Sequence, residues 1–312
     1  MENLILSFNV VVPLFLMLVL GYSLKQIRVY DEHTISGMNQ LVFKVFLPLL
    51  LFINIYQTDV AGVFDLKLML VAVLGVLGSF FMTWLIIAWI EKDNRKRGVL
   101  IQGIFRSNFV IFGIPVTTSL FGGEATGAAA LLVAVIVPIF NMLSVVILEI
   151  YRGSRINVPK ILKGILTNPL IIGSVIGLLC LWLHIKIPLV LEKTISDLSK
   201  VTTPLALVIL GGSFTFSSMK GNVKQIAIGV LGKLVIVPVI CLSFALLIGI
   251  RGVGLAILMS IFASPTAVSS FSMAKQMDGD ADLAGHLVVL GSMLSVVTMF
   301  VWIFIFKQGG FM

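Results

Sequence analysis

The sequence predicts an all-α integral membrane protein, and three observations carry that prediction. Mean hydropathy is +1.12. Apolar residues make up 59% of the 312 and charged residues only 12%, about half the charged share of an ordinary soluble domain. Apolar runs of the roughly 20 residues needed to span a bilayer recur along the whole chain, separated by short polar joins such as Asp31-Glu32 and Asp278-Gly279-Asp280. The 22 Lys and Arg and 14 Asp and Glu side chains are too few to cover the surface of a soluble chain of this length.

Ten transmembrane helices are expected, over 4–24, 34–57, 66–90, 98–121, 124–150, 160–184, 194–217, 223–250, 252–276 and 281–306. Met1-Glu2-Asn3-Leu4 lacks the basic segment that opens a cleaved signal peptide, so the first run reads as a retained helix. Orientation follows from the excess of Lys and Arg in cytoplasmic loops. With the N-terminus outside, the inner joins hold thirteen basic residues: Lys25, Arg28, Lys92, Arg95, Lys96, Arg97, Arg152, Arg155, Lys160, Lys163, Lys220, Lys224 and Lys275. The outer joins hold six, namely Lys67, Lys186, Lys193, Lys200, Arg251 and Lys307. Both termini are expected outside. The cluster Lys92–Arg97 is then a topology signal, and no nucleic-acid partner is expected.

Weak matches recur at a fixed offset of 156 residues. Pro13 and Gly21 match Pro169 and Gly177, Pro48-Leu49 matches Pro204-Leu205, Gly98 matches Gly254, and Gly123-Glu124-Ala125 matches Gly279-Asp280-Ala281. The expected organisation is a first five-helix repeat over 1–155 and a second over 156–312. Five is odd, so the second repeat would enter the membrane inverted. Inverted repeats are a common architecture of secondary transporters.

Two spans should break. The fourth contains Phe105-Arg106-Ser107-Asn108 followed by Gly113-Ile114-Pro115, and the ninth contains Ala263-Ser264-Pro265-Thr266 followed by Ser269-Ser270. Proline removes a backbone donor and clashes with the preceding turn, and glycine lowers the cost of unwinding. Backbone freed in this way must be buried in protein or line a polar cavity. Gly113, Pro115 and Pro265 are therefore the expected helix breaks. Asn108, Arg106, Ser264 and Thr266 are candidate substrate-binding residues, with Asn141 beside Pro138 and Asn39 as weaker candidates. Each polar side chain also has a structural alternative, as a helix cap or an interhelical hydrogen bond.

Lys44, Arg106 and Lys233 lie within expected spans, whereas no Asp or Glu lies near a span centre. Basic residues in spans either snorkel or line an anion path. Cys180 and Cys241 sit in apolar runs and read as small buried hydrophobes. No phosphate-binding glycine loop, HExxH motif or GxSxG elbow is present. Neither catalysis, a cofactor nor a metal site is expected.

The chain resembles the auxin efflux carrier family, in its bacterial branch, over essentially its full length. The resemblance is carried by Met38-Asn39-Gln40-Leu41-Val42-Phe43 leading to Leu47-Pro48-Leu49-Leu50, by Arg106-Ser107-Asn108 through Gly113-Ile114-Pro115, and by Ala263-Ser264-Pro265-Thr266-Ala267-Val268. It implies kinship with plant PIN-type carriers and a fold like that of bile acid/sodium symporters. Helices four and nine would cross as broken helices. Helices 1, 2, 6 and 7 would form a dimerising scaffold, and helices 3–5 and 8–10 a moving transport domain. By the same resemblance Asn108 would lie near a substrate carboxylate. Two departures weaken auxin as the substrate: Thr266 follows Pro265 where plant carriers have asparagine, and the 151–160 join is short. Bacterial members are linked to malonate, malate and similar carboxylates.

The expected function is secondary transport of a small organic anion across the bacterial inner membrane, by an elevator-type carrier in contact with lipid. Sodium and proton coupling are both left open. The alternative is a membrane sensor or non-transporting scaffold with the same fold.

Overall fold

A computed structural model describes residues 2–57, 65–153 and 158–312, with side chains described except at 2–11, 114, 123–127, 130 and 160. Arg155 and the side chains of Lys160 and Glu124 lie outside the described residues. All regular structure among the described residues is helical. In chain order the elements are α1 (Glu2–Gln26), α2 (Glu32–Leu41), π1 (Val42–Phe46), α3 (Leu47–Tyr56), α4 (Leu66–Ile90), α5 (Asn94–Phe105), π2 (Phe109–Gly113), α6 (Ile114–Phe121), α7 (Gly123–Ile150) and α8 (Val158–Leu166). They continue as α9 (Pro169–Trp182), α10 (Leu189–Ser213), α11 (Phe216–Leu231), π3 (Gly232–Ile236), α12 (Val237–Leu247), α13 (Gly252–Ala263), α14 (Ser269–Gln276) and α15 (Ala281–Gln308).

The expected ten spans are corrected here. Among the described residues six helices are long and apolar enough to cross a membrane: Glu32–Tyr56, Leu66–Ile90, Leu131–Ile150, Leu189–Ser213, Phe216–Leu247 and Ala281–Gln308. A seventh arises if Asn94–Gly113 and Pro115–Phe121, bent by 51° at their junction, count as one span. Val12–Gln26, Pro169–Trp182 and Gly252–Ala263 are apolar but shorter. Hydropathy averages over backbone interruptions and so merges segments that the chain separates. The run 252–276 divides into α13 and α14, and at about 1.5 Å per residue the 12 residues of α13 fall short of a hydrocarbon core of about 30 Å. The run 160–184 divides at Thr167-Asn168, where the Asn168 side chain caps α9 by accepting from the Leu170 N–H at 3.0 Å.

Nor does the structure give evidence of two inverted five-helix repeats. Both proline pairs related by the 156-residue offset occupy unlike backbone positions. Pro13 lies inside α1, but Pro169 opens α9. Pro48 follows a π turn, but Pro204 lies inside the continuous α10. A shared residue type at a shared offset does not ensure a shared backbone environment.

All three π turns have one physical setting. Each lies just before a helix whose second residue is proline: Pro48, Pro115 or Pro238. Proline has no N–H to give and its ring crowds the carbonyl of residue i−4. Widening the preceding turn by one residue accommodates both while keeping the chain helical.

Lipid-facing surface is evident from large apolar side chains left outside, such as Leu85, Trp89 and Leu247, each at least 74% exposed. Helices α1 and α10 meet through glycine. A Cβ on Gly21 would lie 2.1 Å from the Val208 carbonyl oxygen, and one on Gly211 would lie 2.0 Å from that of Leu18. Small residues at such crossings let backbones approach directly, which is how membrane helices associate without a hydrophobic driving force. Helix α9 meets α3 similarly, with a Cβ on Gly173 placed 2.7 Å from the Pro48 carbonyl oxygen.

Loop contacts define the two ends of the bundle. At one end Arg95 Nε donates to the Asp278 carbonyl at 3.3 Å, Asn94 Nδ2 to that of Gly153 at 3.2 Å, and Gln225 Nε2 to Glu91 Oε2 at 2.9 Å. At the other Lys67 Nζ donates to the Ile248 carbonyl at 2.8 Å, and the Gly252 N–H to that of Phe311 at 2.8 Å. The basic cluster 92–97 thus shares its end with Arg152 and Lys224.

Replacing Gly211 with valine should lower stability by about 1–3 kcal/mol, the usual range for overpacking. Thermal unfolding in detergent, followed by size exclusion, should show a lower midpoint for Gly211→Val. An unchanged midpoint would contradict direct backbone contact between α1 and α10.

Candidate functional site

The chain leaves helical geometry at Arg106–Asn108 and again at Ser264–Val268, and these two interruptions touch. The Asn108 N–H donates to the Pro265 carbonyl at 2.8 Å. Thr266 Oγ1 donates to the Gly103 carbonyl at 2.6 Å, fastening the second interruption to the last turn of α5. Gly113 lets α13 close on π2, since a Cβ there would lie 2.7 Å from that of Ser260. The Gly113 carbonyl instead accepts from Ser260 Oγ at 2.9 Å and Thr117 Oγ1 at 2.8 Å.

A cavity of about 150 Å³ opens beside the junction. One wall comes from α3 and α10 through Leu47, Leu51, Asn54 and Thr202. The facing wall comes from Arg106–Asn108, from Ala267–Ser269, and from α7 through Val137, Phe140 and Asn141. Val110 and Ile111 of π2 and Ser269, the first residue of α14, therefore line it. The starts of helices carry partial positive charge and unsatisfied N–H groups.

Arg106 is the only charged residue in the described lining. It is 4% exposed, and its partners are neutral. One terminal nitrogen, Nη2, donates to Asn141 Oδ1 and Ser269 Oγ, each at 2.7 Å, while Nη1 meets Met273 Sδ. Asn141 is held in place by its own Nδ2, which donates to the Val137 carbonyl at 2.8 Å. Guanidinium keeps its charge in proteins, and a buried charge without a counter-charge is costly by several kcal/mol. Beside it Ser107 Oγ and Asn108 Nδ2 are buried with no hydrogen-bond partner among the described residues. An anion in this cavity would meet a fixed cation, an amide donor and a hydroxyl. Among the described residues no group of three or more His, Cys, Asp or Glu is placed to hold a metal ion.

The membrane transport protein family model matches residues 6–303. The chain belongs to that family. It is the auxin efflux carrier family that the sequence resembles. This family member is 24% identical over 301 residues to an uncharacterized transporter of Methanothermobacter thermautotrophicus, covering 95% of this chain and 97% of the relative. It is 23% identical over 306 residues to one of Methanocaldococcus jannaschii, covering 95% and 98%. A third, from Escherichia coli, is 23% identical over 312 residues, covering 94% and 95%. The chain is thus a multi-pass membrane transporter of this family, and its relatives point to transport, not catalysis.

Not every residue expected to bind substrate in this transporter lines the cavity. Arg106, Asn108 and Asn141 do. Ser264 is fully buried and donates to the Ser260 carbonyl at 2.6 Å, so it serves the end of α13. Thr266 is committed to Gly103. Asn39 lies on α2, where its Nδ2 donates to the Ser272 carbonyl at 3.4 Å. Pro115 sits at the second residue of α6, after the π turn. Thr202 and Met273 were not singled out by sequence reasoning. Thr202 stands two residues before Pro204, which was a usable signal. Met273 gave none, since a methionine in an apolar chain reads as packing.

Thr266→Val should therefore lower stability by about 1–3 kcal/mol, the cost of an unmet buried carbonyl, while leaving solute affinity within about twofold. Thermal unfolding and carboxylate binding on the same sample check this. Intact stability with lost binding would return Thr266 to the solute site.

Proposed function

We propose that this transporter is a secondary carrier of a small organic anion, a mono- or dicarboxylate, and that Arg106 is its charge anchor. The observation that carries the reading is a buried guanidinium with only neutral partners, on the wall of a cavity whose described lining holds no acid. A solute carboxylate offsets that charge, and charge-assisted hydrogen bonds are the strong ones. Asn108 Nδ2 and Ser107 Oγ supply further contacts, and the helix starts at π2 and α14 add favourable potential.

Alternating access is proposed to be elevator-like, with α4–α7 and α11–α15 moving against α1–α3, α9 and α10. Two observations support this. The cavity lies between a wall from α3 and α10 and a wall from the interruptions and α7. Glycine contacts bind α1 to α10 and α9 to α3 backbone to backbone. The basic end of the bundle supports an orientation with that end in the cytoplasm of a bacterial inner membrane and both termini outside. The proposal extends to a homodimer and to drive by a sodium or proton gradient.

Uptake of radiolabelled malonate, malate, lactate and indole acetate into proteoliposomes tests the reading, with imposed potential, pH and sodium gradients. Saturable uptake of at least one is expected. It should fall by about tenfold or more in Arg106→Gln and Asn108→Ala, as for loss of a hydrogen bond to a charged group. Undiminished flux in a folded, monodisperse Arg106→Gln protein would overturn the assignment.

A further inference from the structure

A second polar cavity, of about 460 Å³, lies toward the basic end and includes Lys44, Glu149, Arg152, Thr167, Asn168 and Gln276 in its lining. Three of its walls continue those of the central cavity. The stretch π1–α3 gives Lys44 to the one and Leu47 to the other. Helix α7 has Glu149 in its last turn at the one and Asn141 at the other, and α14 gives Gln276 and Ser269. Eight residues of α7 and seven of α14 separate the paired positions, about two helical turns in each case.

Each intervening stretch carries serine. Ser144 falls three residues after Asn141, and Ser272 three after Ser269, so each shares a helix face with the cavity residue before it. Both are fully buried, and neither hydroxyl has a hydrogen-bond partner among the described residues. Asn39, bonded to the Ser272 carbonyl, has a buried, unpartnered Oδ1 as well. Buried polar atoms are ordinarily satisfied, and the unmet hydroxyls of Ser144 and Ser272 lie on the stretches of α7 and α14 that run between the two cavities.

The mouth of the second cavity is held by ion pairs. Arg152 Nε donates to Asp278 Oδ2 and its Nη1 to Glu149 Oε1, each at 2.9 Å. This ties the end of α7 to the turn between α14 and α15. The Glu149 carboxylate also packs on α8 at Gly164, where a Cβ would lie 2.7 Å from Cδ. Arg152 is 39% exposed, and ion pairs of that kind are weak enough to open and close readily.

We propose that this cavity is the vestibule by which the anion reaches the Arg106 cavity from the basic face, along Ser144 and Ser272, and that the Arg152 ion pairs latch it. The vestibule rests on the carrier reading, but its test needs no identified substrate.

In a protein with Cys180 and Cys241 replaced by alanine, single cysteines at Ser144, Ser272 and Thr167 are exposed to a membrane-impermeant anionic methanethiosulfonate, in vesicles of each orientation. Lys92→Cys marks the basic face. Thr167→Cys should react from that face at once. Ser144→Cys and Ser272→Cys should react slowly from the same face only, and about fivefold faster when Arg152→Gln is added. Serine to cysteine is close to isosteric, and size exclusion checks folding. Inert cysteines at 144 and 272 in both backgrounds, or labelling from the opposite face, would overturn the vestibule. Because no solute is used, that failure is distinct from loss of anion flux, which would overturn the carrier reading instead.

Discussion

The Asn108 N–H donates a hydrogen bond to the Pro265 carbonyl, and the rest of the site is arranged around that bond. Each partner belongs to a stretch where the helix has stopped. In hydrocarbon an unmet backbone group costs several kcal/mol, so neither interruption could stand alone facing lipid. Bonded to each other, and tied to α5 through Thr266, they form a junction of non-helical backbone inside the bundle. Every other element at the site serves to enclose it. Helices α3 and α10 close one side, α7 another, and α13 seats against π2 where Gly113 leaves room.

That arrangement explains why a charge can be kept at depth. Arg106 sits just past the last residue of α5, where the helix dipole favours a cation, and Asn141 and Ser269 accept from its guanidinium. These neutral partners orient the group without neutralising it. Val110 and Ile111 of π2 and Ser269 at the start of α14 line the same cavity. Arg106 is thus a buried cation on the cavity wall, held by neutral partners. The family match places this cavity in a membrane transport protein.

Much of this was legible in the sequence, and the parts that were not have physical reasons. Composition was enough for an all-α membrane chain. Proline and glycine within polar stretches marked where the helix would stop. The number of spans was not legible, because hydropathy is blind to the interruptions that separate α13 from α14 and α8 from α9. The apparent repeat failed for a related reason: Pro48 and Pro204 match as letters but sit after a π turn in one case and inside a continuous helix in the other. Within the site, Arg106, Asn108 and Asn141 line the cavity. For Ser264 and Thr266 the sequence leaves solute contact and structural bonding alike open, since a hydroxyl beside a helix end has carbonyls within reach, and both hydroxyls bond to such carbonyls. The Arg152–Asp278 ion pair joins residues 126 apart, a distance over which a single sequence carries no pairing signal.

The central claim is that Arg106 receives the carboxylate of a small solute. Crystals of the protein soaked with a bromine-substituted short-chain carboxylate would test it most directly through anomalous scattering. The account predicts a bromine peak in the cavity between α3, α7 and the two interruptions, with the carboxylate in hydrogen-bond range of the Arg106 guanidinium, and its loss in Arg106→Gln. A peak that persists at the same place in Arg106→Gln, or that falls only outside this cavity, would contradict it.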